Sequence, residues 1–175
     1  PVARVDTHLE LHVHVFPVSV RWETSLVAMF ASHVNSDTNK ETVIFSECFE
    51  TDKKLEVTER LHKVGQRVSE IFNIHKPEAL ALETLFFSNN QKTAMAVSGV
   101  RGIIIYLAQE ANCVVHEYHP QEIKVAITGY GKSDKIAVTT MVKQLVANCP
   151  DNAKDDEYDA IAIAVTGLAH NGQAQ

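Results

Sequence analysis

The pattern of apolar and polar positions splits the chain into short strand-like runs first and longer helix-like runs later. Residues 2–5 (VARV) read as a first strand ending at Asp6. Leu9, Leu11, Val13 and Val15 then alternate with Glu10, His12 and His14, the period of two expected of a strand with one buried face. Pro17 interrupts that pattern. Residues 24–33 predict a short helix, residues 35–40 (NSDTNK) a turn-rich loop, and residues 42–48 a strand. Thr58 is placed to cap a helix running to Ile74, with Leu61, Val64, Val68 and Ile71 on one face. Pro77 breaks the pattern, and Ala79, Leu80, Ala81 and Leu82 form a run the length of a strand buried on both faces. Glu83 closes it.

The second half alternates. A helix is predicted over 92–111, with Ala94, Val97, Ile104 and Leu107 facing inward, then a strand over 113–117. Pro120 suits the first turn of a helix through Ile127. Residues 129–131 (GYG) predict a mobile turn, after which Ser133 caps a helix carrying Ile136, Val138, Met141, Val142 and Leu145. Residues 150–154 read as a linker, and a last helix covers 155–170. Strands first, then helices alternating with strands, imply an α/β fold with a mixed central β-sheet flanked by helices. The chain of 175 residues is expected to form one domain over 1–170 with a disordered tail at 171–175.

Composition narrows the classes. No apolar run approaches the roughly 20 residues a membrane span needs, and the N-terminus lacks the pattern of a secretory signal. Cys48, Cys113 and Cys149 are far apart and without CxxC spacing, so neither a disulfide framework nor a zinc site is suggested. A reducing cytoplasm is the expected compartment. The net charge of −6 argues against coating nucleic acid by bulk charge but leaves room for local basic patches.

The chemistry concentrates at element ends. Glu83 sits where a buried strand opens on a polar loop, a place where a carboxylate stays charged. The last helix begins KDDEYDAIAIAV, so Asp156 and Asp159 share a face at the entrance of a helix whose body must be buried. Asp6, Glu83, Asp156 and Asp159 together offer hard oxygen ligands suited to Mg²⁺ or Mn²⁺. Two such ions can drive in-line phosphodiester hydrolysis. Phe86 and Phe87 lie in the adjoining loop, where an aromatic can stack on an unpaired base. Lys124, Lys132, Lys135 and Lys143 form a basic cluster suited to phosphate, with Arg101 a further candidate. For each of these residues a purely structural role is the competing explanation: acidic helix capping, a core phenylalanine, a solvated lysine face. The stripe of His8, His12 and His14 admits a metal-binding reading beside the commoner one of a solvated strand face.

Four segments, ALETLFFSNNQKTA (81–94), VRGIII (100–105), EYHPQEIKVAITGYGKSDK (117–135) and DDEYDAIAIAVT (155–166), resemble the RuvC family of Holliday-junction resolvases in sequence and order. The resemblance spans residues 42–170. It implies an RNase H-like fold, a homodimer, divalent metal with two Mg²⁺ per active site, and symmetric nicking of two opposed strands of a four-way DNA junction. It also implies work beside a branch-migration machine of the RuvA and RuvB type. On this resemblance Glu83 is the catalytic glutamate and Asp156 and Asp159 the C-terminal acidic pair. Phe86 stacks at the junction centre, and Lys124 and Lys135 lie near the scissile phosphate and backbone. The chain departs from the family at Asp6-Thr7-His8, where the family has aspartate followed by Pro-Gly, and it has no glycine before Gly65. That departure keeps two alternatives open: a junction-binding module with an incomplete metal site, or a related RNase H-like nuclease acting on RNA.

Overall fold

In the computed structural model of the chain, the described residues are 14–21, 25–31, 41–84 and 91–171. Their elements run β1 (His14–Arg21), β2 (Ser25–Ala31), β3 (Glu41–Val43), β4 (Glu47–Glu50), α1 (Val57–His75), β5 (Ala79–Glu83), α2 (Gln91–Glu110), β6 (Val114–Tyr118), α3 (Pro120–Thr128), α4 (Lys135–Leu145), β7 (Val146–Ala147) and α5 (Asp155–Asn171). The strands form one sheet in the order β6-β5-β2-β1-β3-β7, with β4 also paired to β1. The β1–β2 and β2–β5 pairs are antiparallel; β5–β6, β1–β3, β1–β4 and β3–β7 are parallel. The architecture is the α/β, RNase H-like one implied above, with helices on both faces of a mixed sheet.

β5 explains the layering. Its successive side chains point to opposite faces. Leu80 and Leu82 pack with Val64, Val68 and Ile71 of α1 and with Val100 and Ile104 of α2. Ala79 and Ala81 pack on the other face, in the core that includes Ile161, Ala162, Ile163 and Ala164 of α5 and Val138 and Val142 of α4. Burial of each large aliphatic side chain stabilises the fold by roughly 1.5–3 kcal/mol. The small residues on the α5 side let that helix approach the strand closely. Continuing the alternation, Glu83 follows Ala79 and Ala81 toward α5.

Several local expectations change. Residues 25–31 (SLVAMFA) form strand β2 rather than helix; its apolar run pairs with β1 on one side and β5 on the other, and that pairing outweighs a weak helical pattern. β1 runs through Pro17 because Pro17 falls between the β3-paired residues His14 and Val15 and the β4-paired residues from Val18 onward, a break where a missing N–H costs little. The single strand expected over 42–48 is β3 and β4, separated by Ile44 to Ser46. Glu56, not Thr58, caps α1, and Glu59 reaches back to the Glu56 N–H at 3.3 Å. Asp134, not Ser133, caps α4 by accepting from the Ala137 N–H. Ile136, expected inward, is 76% exposed. The turn at 129–131 is fastened rather than loose. Gly129 takes a left-handed φ of 74°. The Thr128 and Ser133 hydroxyls lie 2.7 Å apart, and Ser133 donates to the Tyr130 carbonyl. The strand expected over 2–5, the stripe at His8 and His12, and the tail at 172–175 lie outside the described residues.

Candidate active site

Glu83 ends β5, half-buried at the mouth of a cleft on the α5 side of the sheet. Asp159 faces the same cleft from the second turn of α5, and Lys124 of α3 and Lys135 of α4 line it with them. Each position has a local cause. The apolar run 79–82 anchors β5, so the first charged residue after it lands at the edge. In α5, Tyr158 and residues 160–168 are buried, so the helix is held along nearly its whole length and its acidic first turns are delivered to the sheet. Ser46 donates to Glu157 at 2.7 Å and Lys154 pairs with Glu50 at 2.9 Å, tying the start of α5 to the β3–β4 region. Tyr158 donates to the Pro150 carbonyl at 2.6 Å, which holds the preceding turn.

Burial perturbs both carboxyl groups of the cleft. Burial pushes the Glu83 carboxyl above its ordinary value, and the nearby Asp159 charge pushes it further. Burial also raises Asp159, against the pull of Lys135. Lys135 Nζ lies 3.0 Å from Asp159 Oδ2 and 3.6 Å from Asp155 Oδ2. Desolvation works against the Lys135 charge, yet its hydrogen bond to Asp159 and the surrounding aspartates hold its pKa above the usual lysine value. Lys135 is thus held by the aspartates of α5.

The structure brings Glu83 and Asp159 to one cleft with Lys124 and Lys135. Asp156, one turn earlier on α5, is half-buried and adds its charge near Lys135 and Asp159. Among the described residues no three acidic, histidine or cysteine side chains converge as a metal cage. Asp6 and Phe86 lie outside the described residues. Lys132 is exposed on the fastened turn between α3 and α4. Arg101 is not presented to solvent: its side chain is only 15% exposed, with Nη2 2.6 Å from Glu117 Oε2 and Nη1 donating to the Glu83 carbonyl at 2.9 Å. Sequence reading missed two contacts beside the site. Thr84 Oγ1 and His119 Nδ1 lie 2.9 Å apart, and the Thr84 N–H donates to the Tyr118 carbonyl, extending the β5–β6 pairing past Glu83. No local motif announces them, because the partners, at the end of β6 and the start of α3, are more than 30 residues away in sequence.

Residues 28–167 match the family model described as crossover junction endodeoxyribonuclease RuvC. A protein of that name from Alkaliphilus metalliredigens is 36% identical over 142 residues, covering 81% of this chain and 86% of the relative. One from Pseudothermotoga lettingae is 41% identical over 116 residues, covering 66% and 71%. Among solved structures, Thermus thermophilus RuvC superposes with a TM-score of 0.76 at 26% identity, covering 93% of this chain and 96% of that one. The same protein in complex with Holliday junction substrate gives 0.79 at 25% identity and the same coverage.

Proposed function

Because the chain belongs to the RuvC family of crossover junction endodeoxyribonucleases, we propose that it resolves four-way DNA junctions in recombination and repair by paired, symmetric, metal-dependent nicks. The observation that carries this reading is the meeting of Glu83 and Asp159 in one cleft rimmed by Lys124 and Lys135. Two half-buried carboxylates whose pKa values are raised, one of them already paired with an ammonium, fit a hard divalent cation. Glu83 and Asp159 would hold Mg²⁺, or Mn²⁺ in its place, with Asp156 and Asp6 completing a two-ion site. Bound there, the metal supplies an activated water and stabilises the departing oxygen.

The chain's own residues do the rest. Lys124 and Lys135 draw the scissile phosphate to the cleft, and Lys132 holds backbone from the adjoining turn. Phe86 stacks at the junction centre. Met95, 78% exposed, and Tyr106, 62% exposed, lie on one side of α2 with exposed Gly102 between them, a face suited to a second copy of the chain. A homodimer would set two clefts against two opposed strands. We further infer a single nuclease domain acting in the cytoplasm, in concert with a RuvA/RuvB-type complex; among the described residues no helix is long and apolar enough to cross a membrane.

The test is a synthetic four-way junction incubated with the protein in Mg²⁺ and in EDTA, resolved on denaturing gels. Paired symmetric nicks in Mg²⁺ alone are expected. A shifted but uncut junction in every divalent metal would replace this reading with that of a silent junction-binding module. Structured RNA cut in preference to the junction would move the substrate to RNA.

A further inference from the structure

We propose that Arg101 is a positioning residue for Glu83 and not a contact to DNA. The inference rests on the nuclease reading above and concerns how its glutamate is held. β5 pairs with β2 only as far as Leu82, opposite Val27, whereas its pairing with β6 continues through Glu83, opposite Tyr118. Glu83 is therefore the first residue of the strand that the ladder holds on one side alone. Arg101 supplies a hold at this point. It projects from α2 between the buried residues Val100 and Ile104, which fix the helix against the Leu80 and Leu82 face of the strand. It spans two strand ends: Nη1 donates to the Glu83 carbonyl at 2.9 Å, and Nη2 is ion-paired with the Glu117 carboxylate of β6 at 2.6 Å without hydrogen-bond geometry. A guanidinium hydrogen-bonded to one strand end, ion-paired to the other and 15% exposed has little left to offer a phosphate.

The fork shape makes the idea testable. Lysine keeps the charge but cannot bridge two acceptors in a plane. Loss of a phosphate contact in Arg101→Lys lowers junction affinity; loss of a two-pronged clamp lowers cleavage and Mn²⁺ affinity and leaves junction affinity unchanged. The measurements are single-turnover cleavage, junction affinity with its salt dependence, and Mn²⁺ affinity of the DNA-free protein by calorimetry. Arg101→Lys should cut about 10- to 100-fold more slowly, the range seen when partners behind a metal ligand are lost. It should bind Mn²⁺ more weakly, regain rate at high Mn²⁺, and keep the wild-type junction affinity and salt slope.

Glu117→Gln provides the second variant, since Glu117 is half-exposed and its loss leaves the core intact. It should show the same signature at smaller size. The inference is overturned if Arg101→Lys cuts and binds Mn²⁺ like wild type while Arg101→Gln weakens junction binding and lowers the salt slope by about 1, the mark of a phosphate contact. It is equally overturned if Arg101→Lys does not fold and Glu117→Gln keeps wild-type rate and Mn²⁺ affinity. Failure of the wild-type protein to nick would overturn the nuclease reading itself, a separate outcome.

Discussion

The two faces of β5 are built on opposite plans. On the face toward α1 and α2, Leu80 and Leu82 are fully buried among large aliphatic side chains. On the face toward α5, Ala79 and Ala81 meet the alanine-rich turns of the helix, and the next residue in the alternation is Glu83. The first face stabilises by bulk. The second gives up bulk for closeness, and closeness brings the Asp159 carboxylate to the end of the strand. Burial that stabilises the first face costs the second, because it raises both carboxyl groups. One strand thus carries a structural face and a chemical face, and the division is set by side-chain size at alternate positions.

Paired substitutions break the comparison most sharply. Leu82→Ala should cost about 2–5 kcal/mol of stability, as large-to-small core changes do, while the folded fraction still cuts. Ala81→Leu should cost about 1–3 kcal/mol by overpacking and also abolish cleavage, because it pushes α5 from the strand. Denaturant melts with single-turnover assays would check both; normal cleavage by folded Ala81→Leu would show that the close approach is incidental.

A smaller effect follows from pH. Because the folded Glu83 carboxyl sits above its ordinary value of 4.5, the folded chain holds that proton more readily than the unfolded one. The Glu83 contribution to stability in EDTA, read as the difference between wild type and Glu83→Gln, should therefore fall as pH rises from about that value through the folded pKa, then level off. Glu83→Gln removes this cost, so in EDTA its melting temperature should exceed that of wild type at neutral pH and the advantage should vanish in acid. A Glu83→Gln protein less stable than wild type at neutral pH would contradict it.

Lys135→Gln should weaken junction binding and reduce its salt slope by about 1. Its stability should change by less than about 1 kcal/mol, since the lysine is half-exposed. Smallest of all, Arg67→Ala on the opposite side removes pairs with Glu47 at 2.9 Å and Glu70 at 3.0 Å. It should cost under about 1 kcal/mol and leave cleavage unchanged in the same assay.

What the sequence showed depended on whether the cause was local. β5 and α5 were legible because an unbroken apolar run, closed or opened by acid, admits few explanations. The ends of these two elements also place Glu83 and Asp159, which line one cleft, although a purely structural role competed for each in the sequence. β2 was not: residues 25–31 carry no strong period of their own, and their strand identity comes from lying between β1 and β5. Ser133 looked like a helix cap but bonds inside the preceding turn, leaving the cap to Asp134. Arg101 looked like a surface cation because the Glu83 carbonyl it meets is 18 residues away. The pairing of Lys135 with Asp159 joins two helices whose packing only the fold reveals.

On the proposed function, the end of β5 and the start of α5 form a metal-dependent nuclease centre. The most direct test compares Glu83→Gln with wild type on a four-way junction in Mg²⁺, measuring strand cleavage and junction affinity together. Nicking should fall by more than about 100-fold, since even partners behind a metal ligand cost roughly 10- to 100-fold, while affinity stays within about twofold of wild type because the DNA is held by the lysines. Cleavage at the wild-type rate by Glu83→Gln would contradict the account.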